Sequence, residues 1–132
     1  MVIFDSSVLI DQFRADCHRE RIDSLDELVR SSAVVLAELR RGATTQAEKT
    51  VLRTLERRYP IFTPTEKNWL ESGEILSKMV RDHGFAPRKL RDLHFDVLIA
   101  LTAQTCGARL ITSNRADFEL IRSYRDFGLE VW

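Results

Sequence analysis

The sequence predicts an α/β fold in which helices cover both faces of a mainly parallel sheet of about five strands. Short apolar runs of strand length alternate along the chain with longer segments of helical period. Alternation of this kind is typical of parallel sheets, whose strands are joined by helices packed on the two faces. The length of 132 residues suits one domain with a substantial core. We therefore expect a three-layer α/β/α sandwich over residues 1–132.

Capping and turn residues set the predicted elements of the first half. Ser6 or Ser7 caps the first helix, and Ser32 caps a later helix that Gly42 ends. The predicted elements are a strand over 2–5, a helix over 8–13, a weakly helical segment over 19–26, a strand over 28–31, and helices over 33–41 and 45–58. The inward face of the last helix is predicted to carry Val51, Leu52 and Leu55.

The second half is predicted to contain two long helices and three strands. Thr65 caps the first long helix, which ends at His83 and Gly84. The predicted elements are a strand over 59–62, a helix from 66 to about 82, a basic loop over 85–91, a buried helix over 92–105, and strands over 109–112 and 129–132. One face of the first long helix carries Trp69, Gly73, Leu76 and Val80, and we expect Trp69 and Met79 in the core.

Composition excludes several classes of protein. The formal net charge is zero and 44% of residues are hydrophobic, which is ordinary for a globular domain. No segment reaches the roughly 20 apolar residues of a membrane span. The N-terminus lacks the basic region of a secretory signal, so we expect a cytoplasmic protein without a membrane partner. Cys17 and Cys106 are expected to be reduced thiols, and no Cys/His spacing indicates zinc.

Four acidic residues lie inside or directly after apolar runs, where a charge is costly. They are Asp5, Glu38, Asp96 and Asp117. A buried carboxylate costs several kcal/mol unless it is paired, coordinated or protonated. Ligand sites of parallel α/β sheets lie beyond the carboxyl ends of the strands, where one crevice could collect all four side chains. The pattern indicates a shared cation.

Each acid also has a simpler interpretation. Asp5 could cap the first helix, and Glu38 could pair with Arg41 or Arg40. Asp96, with Asp92 four residues earlier, could favour the dipole of a helix N-terminus. Asp117 could begin a short helix without a chemical role.

Four segments together resemble the PIN-domain family, with the closest likeness to the VapC-type toxins of prokaryotic toxin-antitoxin pairs. The segments are Asp5-Ser6-Ser7-Val8-Leu9-Ile10, Ser32 through Ala37-Glu38-Leu39, Asp96-Val97-Leu98-Ile99-Ala100, and Thr112-Ser113-Asn114-Arg115-Ala116-Asp117-Phe118. The resemblance spans nearly the whole chain in order. It implies a PIN-like fold and a Mg²⁺- or Mn²⁺-dependent endoribonuclease.

The resemblance also implies roles for individual residues. Asp5, Glu38, Asp96 and Asp117 match the catalytic acids, with Asp5 and Asp96 as principal metal ligands and Asp117 as a second-ion or water-mediated ligand. Glu38 is a ligand or a base. Polar support is expected from Ser7, Thr112 and Asn114, and family members place the fourth acid at either the Asn114 or the Asp117 position. Carboxylates around a partly hydrated Mg²⁺ suit phosphodiester hydrolysis.

Basic clusters and apolar helix faces suggest partners. The clusters most expected to follow RNA contain Arg40, Arg41, Arg88, Lys89 and Arg91, whereas Lys49, Arg53, Arg57 and Arg58 suit a solvated helix face as well. Surplus apolar side chains on two helices indicate an interface; they are Val8, Leu9, Ile10 and Phe13, then Leu52, Leu55 and Tyr59. With the resemblance, this predicts a homodimer that also binds a small VapB-like antitoxin.

Two other functions fit parts of the pattern. A PIN-like module without activity could bind RNA or protein, and metal titration would distinguish it from an enzyme. A phosphotransfer domain also places an Asp at the end of a first strand. Such domains need paired acids there and a lysine after a later strand, and this chain has Asp5-Ser6-Ser7 and no lysine after the fourth predicted strand.

Overall fold

The protein is built on a five-stranded, wholly parallel sheet. The computed structural model describes all residues from 1 to 132. The strands are β1 (Val2–Phe4), β2 (Val29–Ser32), β3 (Ile61–Phe62), β4 (Arg109–Thr112) and β5 (Leu129–Val131), in the order β3-β2-β1-β4-β5. In the central strand, Val2 pairs with Val29 on one side and with Arg109 on the other. The predicted fold class is confirmed.

Seven helices surround the sheet. They are α1 (Ser6–Ala15), α2 (Arg19–Asp23), α3 (Ala33–Gly42), α4 (Gln46–Arg58), α5 (Glu66–His83), α6 (Pro87–Cys106) and α7 (Arg115–Tyr124). Side chains alternate between the two faces of a strand. Ile3 accordingly belongs to the larger of two hydrophobic clusters, while Val2 and Phe4 belong to the smaller one. Both faces of the sheet are covered, which gives the three-layer arrangement.

The N-terminus of α6 corrects the prediction of a loop over 85–91. The helix begins at Pro87, after Ala86 in extended conformation. A proline at the first helical position lacks only an N–H that would have no partner there, and its fixed φ suits the helix. Asp96 therefore lies in the middle of α6 rather than in its first turn, so the interpretation of Asp96 as a residue that favours the helix dipole is wrong.

The buried face of α5 is displaced by one residue from the predicted face. Trp69 is 49% exposed, and Val80 is also exposed, whereas Met79 is fully buried as predicted. The buried positions are Asn68, Ser72, Ile75 and Met79. The two polar members have partners, since Asn68 donates to Thr105 Oγ1 at 2.9 Å and Ser72 Oγ lies 3.0 Å from His94 Nε2.

Smaller differences concern caps and edges. Asp5, not Ser6 or Ser7, occupies the position before α1, and its side chain makes no capping hydrogen bond. Val51 on α4 is exposed, while Leu52 is buried. The strand expected over 59–62 is paired only at Ile61 and Phe62. Cys17 and Cys106 are free thiols, and none of the helices has the length and hydropathy that crossing a membrane requires.

The topology brings distant segments to one edge of the sheet. β1 and β4 are parallel neighbours, so the residues after Phe4 and after Thr112 leave the sheet side by side. The amide of Asp5 donates to the carbonyl of Ile111 at 2.8 Å, which extends the ladder to the acid itself. Helix α3 contacts α1 and α6, and α6 contacts β4 and α7.

Candidate active site

Asp5 is a buried carboxylate with one occupied and one free oxygen. Its residue is only 3% exposed. Oδ2 accepts hydrogen bonds from Ser7 Oγ at 2.7 Å and from Thr112 Oγ1 at 2.9 Å. Oδ1 is buried and has no partner. Because a buried anionic oxygen without a donor is costly, Oδ1 is the atom of this site best suited to a ligand.

Backbone amides after β4 orient the two hydroxyl groups that hold Asp5. The amide of Ser113 donates to Ser7 Oγ at 3.0 Å, and the amide of Asn114 donates to Thr112 Oγ1 at 2.9 Å. Each hydroxyl oxygen accepts from an amide and directs its own proton to Asp5. Ser7 and Thr112 thereby fix the carboxylate in one orientation.

Glu38 lies in the middle of α3. Like Asp5 Oδ1, its carboxylate oxygen Oε2 is buried and has no partner. Burial raises the pKa of Glu38, and repulsion from Asp5 adds to the rise, while Ser6 and the charge of Arg41 oppose it. Arg40 pairs instead with Glu56, at 2.6 Å. The predicted alternative of a Glu38–Arg40 pair is therefore wrong, and Glu38 faces the other acids.

Asp96 is the acid most strongly perturbed by its surroundings. Burial, together with repulsion from Asp5, Glu38 and Asp117, raises its pKa from 3.8 to about 8, against the opposing charge of Lys89. The carboxylates of four separate segments are thus near enough to repel one another. An electrostatic field of this kind attracts cations.

Asp117 is placed differently, because both of its oxygens have donors. Lys89 Nζ lies 2.8 Å from Oδ1, and Asn114 Nδ2 donates to Oδ2 at 3.1 Å. Asn114 also caps α7 by accepting from the amide of Asp117 at 3.4 Å. Burial alone would raise the pKa of Asp117, but the hydrogen bonds from Lys89 and Asn114 and the charge of Lys89 lower it overall.

The donor set fits a hard cation only in part. Asp5 and Glu38 offer free buried oxygens, and Asp96 adds a third carboxylate, which is the chemistry that Mg²⁺ and Mn²⁺ prefer. No three Asp, Glu, His or Cys side chains lie in an arrangement that could hold an ion as they stand. Metal binding therefore requires these carboxylates to move closer together. Asp117 would in addition have to leave Lys89.

The basic residues predicted for RNA binding lie on two helices, α3 and α6. Arg88 and Arg91 are exposed on the first turns of α6, and Lys89 there binds Asp117. Arg40, on α3, lines a concavity of about 240 Å³ together with Lys49, Arg53 and the apolar Leu52. No acidic residue lines this concavity.

Sequence reasoning missed three contributors to the site. They are Ser6, which lowers the pKa of Glu38, the amide of Ser113, which orients Ser7, and the pairing of Lys89 with Asp117. The first two carry no signal, because any small residue and any amide look alike in a sequence. The third was hidden by the prediction of a loop around Lys89, which left its distance to the end of β4 undefined.

Comparison with known proteins identifies the family of the chain. Residues 2–123 match the model of the PIN domain family. The chain therefore belongs to the PIN domain family. No curated protein matches it significantly.

Several solved structures share the fold over the whole chain. One is the structure of VapBC2 from Rickettsia felis bound to a DNA fragment from the VapBC2 promoter. One of its chains matches with a TM-score of 0.77 at 21% identity, and the match covers 100% of this chain and 99% of that chain. For DNA-bound VapBC from Salmonella typhimurium the TM-score is 0.73 at 23% identity, with coverage of 100% and 99%. For VapBC-5 from Mycobacterium tuberculosis it is 0.64 at 21% identity, with coverage of 99% and 98%. At these identities the likeness shows the fold.

The raised pKa of Asp96 leads to a prediction for the metal-free protein. Between the ordinary value of 3.8 and about 8, the folded chain holds a proton that the unfolded chain has lost, so the free energy of unfolding falls as the pH rises through this window. Asp96→Asn should remove this fall. Above about pH 8, we expect the free energy of unfolding of Asp96→Asn to exceed that of the wild type by on the order of 2–4 kcal/mol. The difference should shrink toward about pH 4.

Urea unfolding in EDTA at a series of pH values measures this difference. The matched control is Asp92→Asn, which removes an exposed carboxylate one turn earlier on α6 and should follow the wild type. Parallel curves for Asp96→Asn and the wild type would contradict the prediction.

Proposed function

We propose that this chain is a metal-dependent endoribonuclease and the toxin of a VapBC-type toxin-antitoxin pair. The observation that carries the proposal is the buried Asp5, with Oδ1 free, facing Glu38 and Asp96 at the carboxyl edge of a PIN-domain sheet. Solved structures that share its fold are described as VapBC complexes, which supports the assignment to a toxin-antitoxin pair. The proposed setting is the cytoplasm, where RNA is at hand.

Asp5, Glu38 and Asp96 are the residues that would hold Mg²⁺ or Mn²⁺. When bound, the ion supplies an activated water and stabilises the departing oxygen of the phosphodiester. Ser7 and Thr112 orient Asp5 so that Oδ1 is presented. At neutral pH the metal-free Asp96 holds a proton on its carboxyl group, which it must lose before it can act as a ligand.

A PIN-like module without activity is the second candidate. It is favoured by one observation, namely that no ready-made group of three ligands is present. The two candidates differ in what a divalent ion does, since only the nuclease gains RNA cleavage when the ion binds.

The first functional prediction concerns the carboxylates. Asp5→Asn and Asp96→Asn should each lower Mg²⁺- or Mn²⁺-dependent RNA cleavage by about 100-fold or more, because losing a ligand is more severe than losing its supporting partner. Cleavage of a labelled RNA, with gel analysis of the fragments, measures the loss. Asp92→Asn is the control on the same helix and should keep wild-type activity. Wild-type cleavage that persists in EDTA would contradict the metal-dependent mechanism.

The path of the RNA is proposed to include the concavity lined by Arg40, Lys49 and Arg53. Three cations around one depression repel one another, and only Arg40 has a carboxylate partner, Glu56. An anion would relieve that repulsion. Leu52 lines both this concavity and a second groove whose wall includes Glu38, so the cations are connected to the acidic site along one surface.

The second functional prediction tests this path. The double substitution Lys49→Glu and Arg53→Glu should weaken RNA binding. It should also reduce the steepness of log K against log salt concentration by roughly 0.7 for each lost phosphate contact to a single strand. Binding of a non-cleaved RNA to the Asp5→Asn background, titrated at several salt concentrations, measures both effects. Arg57→Glu, on the same helix but outside the concavity, is the matched control. An unchanged slope in the double variant would show that these cations do not contact RNA.

An antitoxin segment is proposed to bind the apolar grooves beside α1. One groove, of about 250 Å³, is lined by side chains that include Leu9, Phe13, Leu55 and Tyr59. A neighbouring groove of about 270 Å³ runs past Phe13 to Glu38. Phe13 is 45% exposed and lines both. A peptide with apolar side chains for these grooves and a basic side chain for Glu38 would cover the acidic site. Of the apolar side chains predicted to form the homodimer interface, Val8 and Leu52 are buried in the core, so that part of the prediction is wrong; the exposed Phe13 supports the proposed homodimer.

The third functional prediction concerns the toxin role. Expression of the wild type without its partner should arrest growth, whereas Asp5→Asn should be tolerated. Phe13→Asp should remain toxic but escape neutralisation by a co-expressed antitoxin, because a charge in the shared wall of the grooves opposes apolar docking. Growth curves with and without the adjacent gene product measure both effects, and light scattering at micromolar concentration should give the dimer mass. Equal toxicity of wild type and Asp5→Asn would exclude the toxin role, and a monomer mass would exclude the homodimer.

A further inference from the structure

Lys89 is the basic residue that directly binds one of the four acids. Its Nζ lies 2.8 Å from Asp117 Oδ1, and the two side chains are 40% and 21% exposed. The pair joins the first turn of α6 to the first turn of α7, so both helices fix its geometry. Partial shielding from water makes such a pair stronger than one on an open surface.

The remaining donors around Asp117 are also already in use. Asn114 Nδ2 donates to Asp117 Oδ2 at 3.1 Å, and the backbone of Asn114 is held by Thr112. By contrast, the buried carboxylate oxygens without a partner belong to Asp5 and Glu38. The unpartnered oxygens therefore belong to Asp5 and Glu38, whereas both oxygens of Asp117 already accept a hydrogen bond.

We propose that Lys89 serves as a built-in cation that keeps Asp117 from binding metal, so that the site takes one divalent ion, on Asp5, Glu38 and Asp96. This inference rests on the proposed metal-dependent function. An ammonium group beside Asp117 balances the charge that a second ion would otherwise balance, and it repels such an ion. Its charge also reaches Asp96, where it opposes the repulsion from the other acids. Lys89 is thus a positioning residue that sets the number of ions.

Calorimetric titration of the metal-free protein with Mn²⁺, without RNA, tests the proposal. The wild type should bind one ion. Asp117→Asn should leave the stoichiometry unchanged and the affinity within about twofold, whereas Asp5→Asn should weaken binding by about tenfold or more. Lys89→Met, which keeps the aliphatic stem and removes the ammonium, should bind two ions. The double variant Lys89→Met with Asp117→Asn should return to one.

Two further variants test whether the positive charge at position 89, and not any nearby positive charge, sets the number of bound ions. Lys89→Arg keeps a positive charge at the pair and should bind one ion. Arg115→Met removes a nearby exposed charge that pairs with Glu119 instead, and it should also bind one ion.

The outcomes distinguish this inference from the proposed function. Two ions on the wild type, or a loss of affinity of about tenfold in Asp117→Asn, would overturn the role of Lys89 and leave the nuclease proposal standing. No binding of Mn²⁺ to the wild type would overturn both. Because Asp117→Asn tests the proposal by itself, it stays falsifiable even if Lys89→Met fails to fold.

Discussion

The burial of one carboxylate, that of Asp5, is the constraint on which the arrangement of this protein depends. Asp5 is only 3% exposed, so water cannot solvate its charge and the protein itself must supply hydrogen-bond donors. Ser7 supplies one from the next turn of the chain, and Thr112 supplies the other from the end of β4. The second donor is available only if β1 and β4 are neighbours that run in the same direction, as they are in the sheet. The orientation of the Asp5 side chain thus depends on the order of the strands in the sheet.

A chain of zero net charge can still gather acidic side chains at one site. The sequence has 20 basic and 20 acidic residues, yet Asp5, Glu38 and Asp96 lie together without an ion pair between them and a basic side chain. Arg40 is drawn to Glu56, and Lys89 to Asp117. These basic side chains thus pair with other carboxylates, and Asp5, Glu38 and Asp96 are left without one. Net charge alone says little about what such a protein binds.

Much of the fold could be predicted because its signals are local. Apolar runs locate the strands, and caps such as Ser32 and Thr65 begin helices where expected, each accepting from backbone amides of the first turn. The face of α5 could not be predicted, because Asn68 and Ser72 look like surface residues until Thr105 and His94 are known to face them. The start of α6 was missed because Pro87 was taken for a loop residue instead of a first helical residue.

The acids of the candidate site were identifiable because each interrupts an apolar run, and their gathering at one edge follows from the parallel sheet. Their individual states were not, because these depend on neighbours far away in sequence. From the sequence alone, the environments of Asp117 and Asp96 cannot be distinguished. In the structure one is surrounded by Lys89 and Asn114, and the other by carboxylates, so their pKa values move in opposite directions.

The contact between Ser7 and Thr112 joins residues separated by 105 positions. The N-terminal strand leaves the ribosome well before the hydroxyl group at the end of β4, which lies 105 positions after Ser7. Pairings between such distant segments form late, since the loop between them must first close. A nascent or truncated chain that lacks β4 leaves Asp5 without its second donor and exposed to water. The fixed orientation of Asp5 therefore arises only after β4 has been made and has paired with β1.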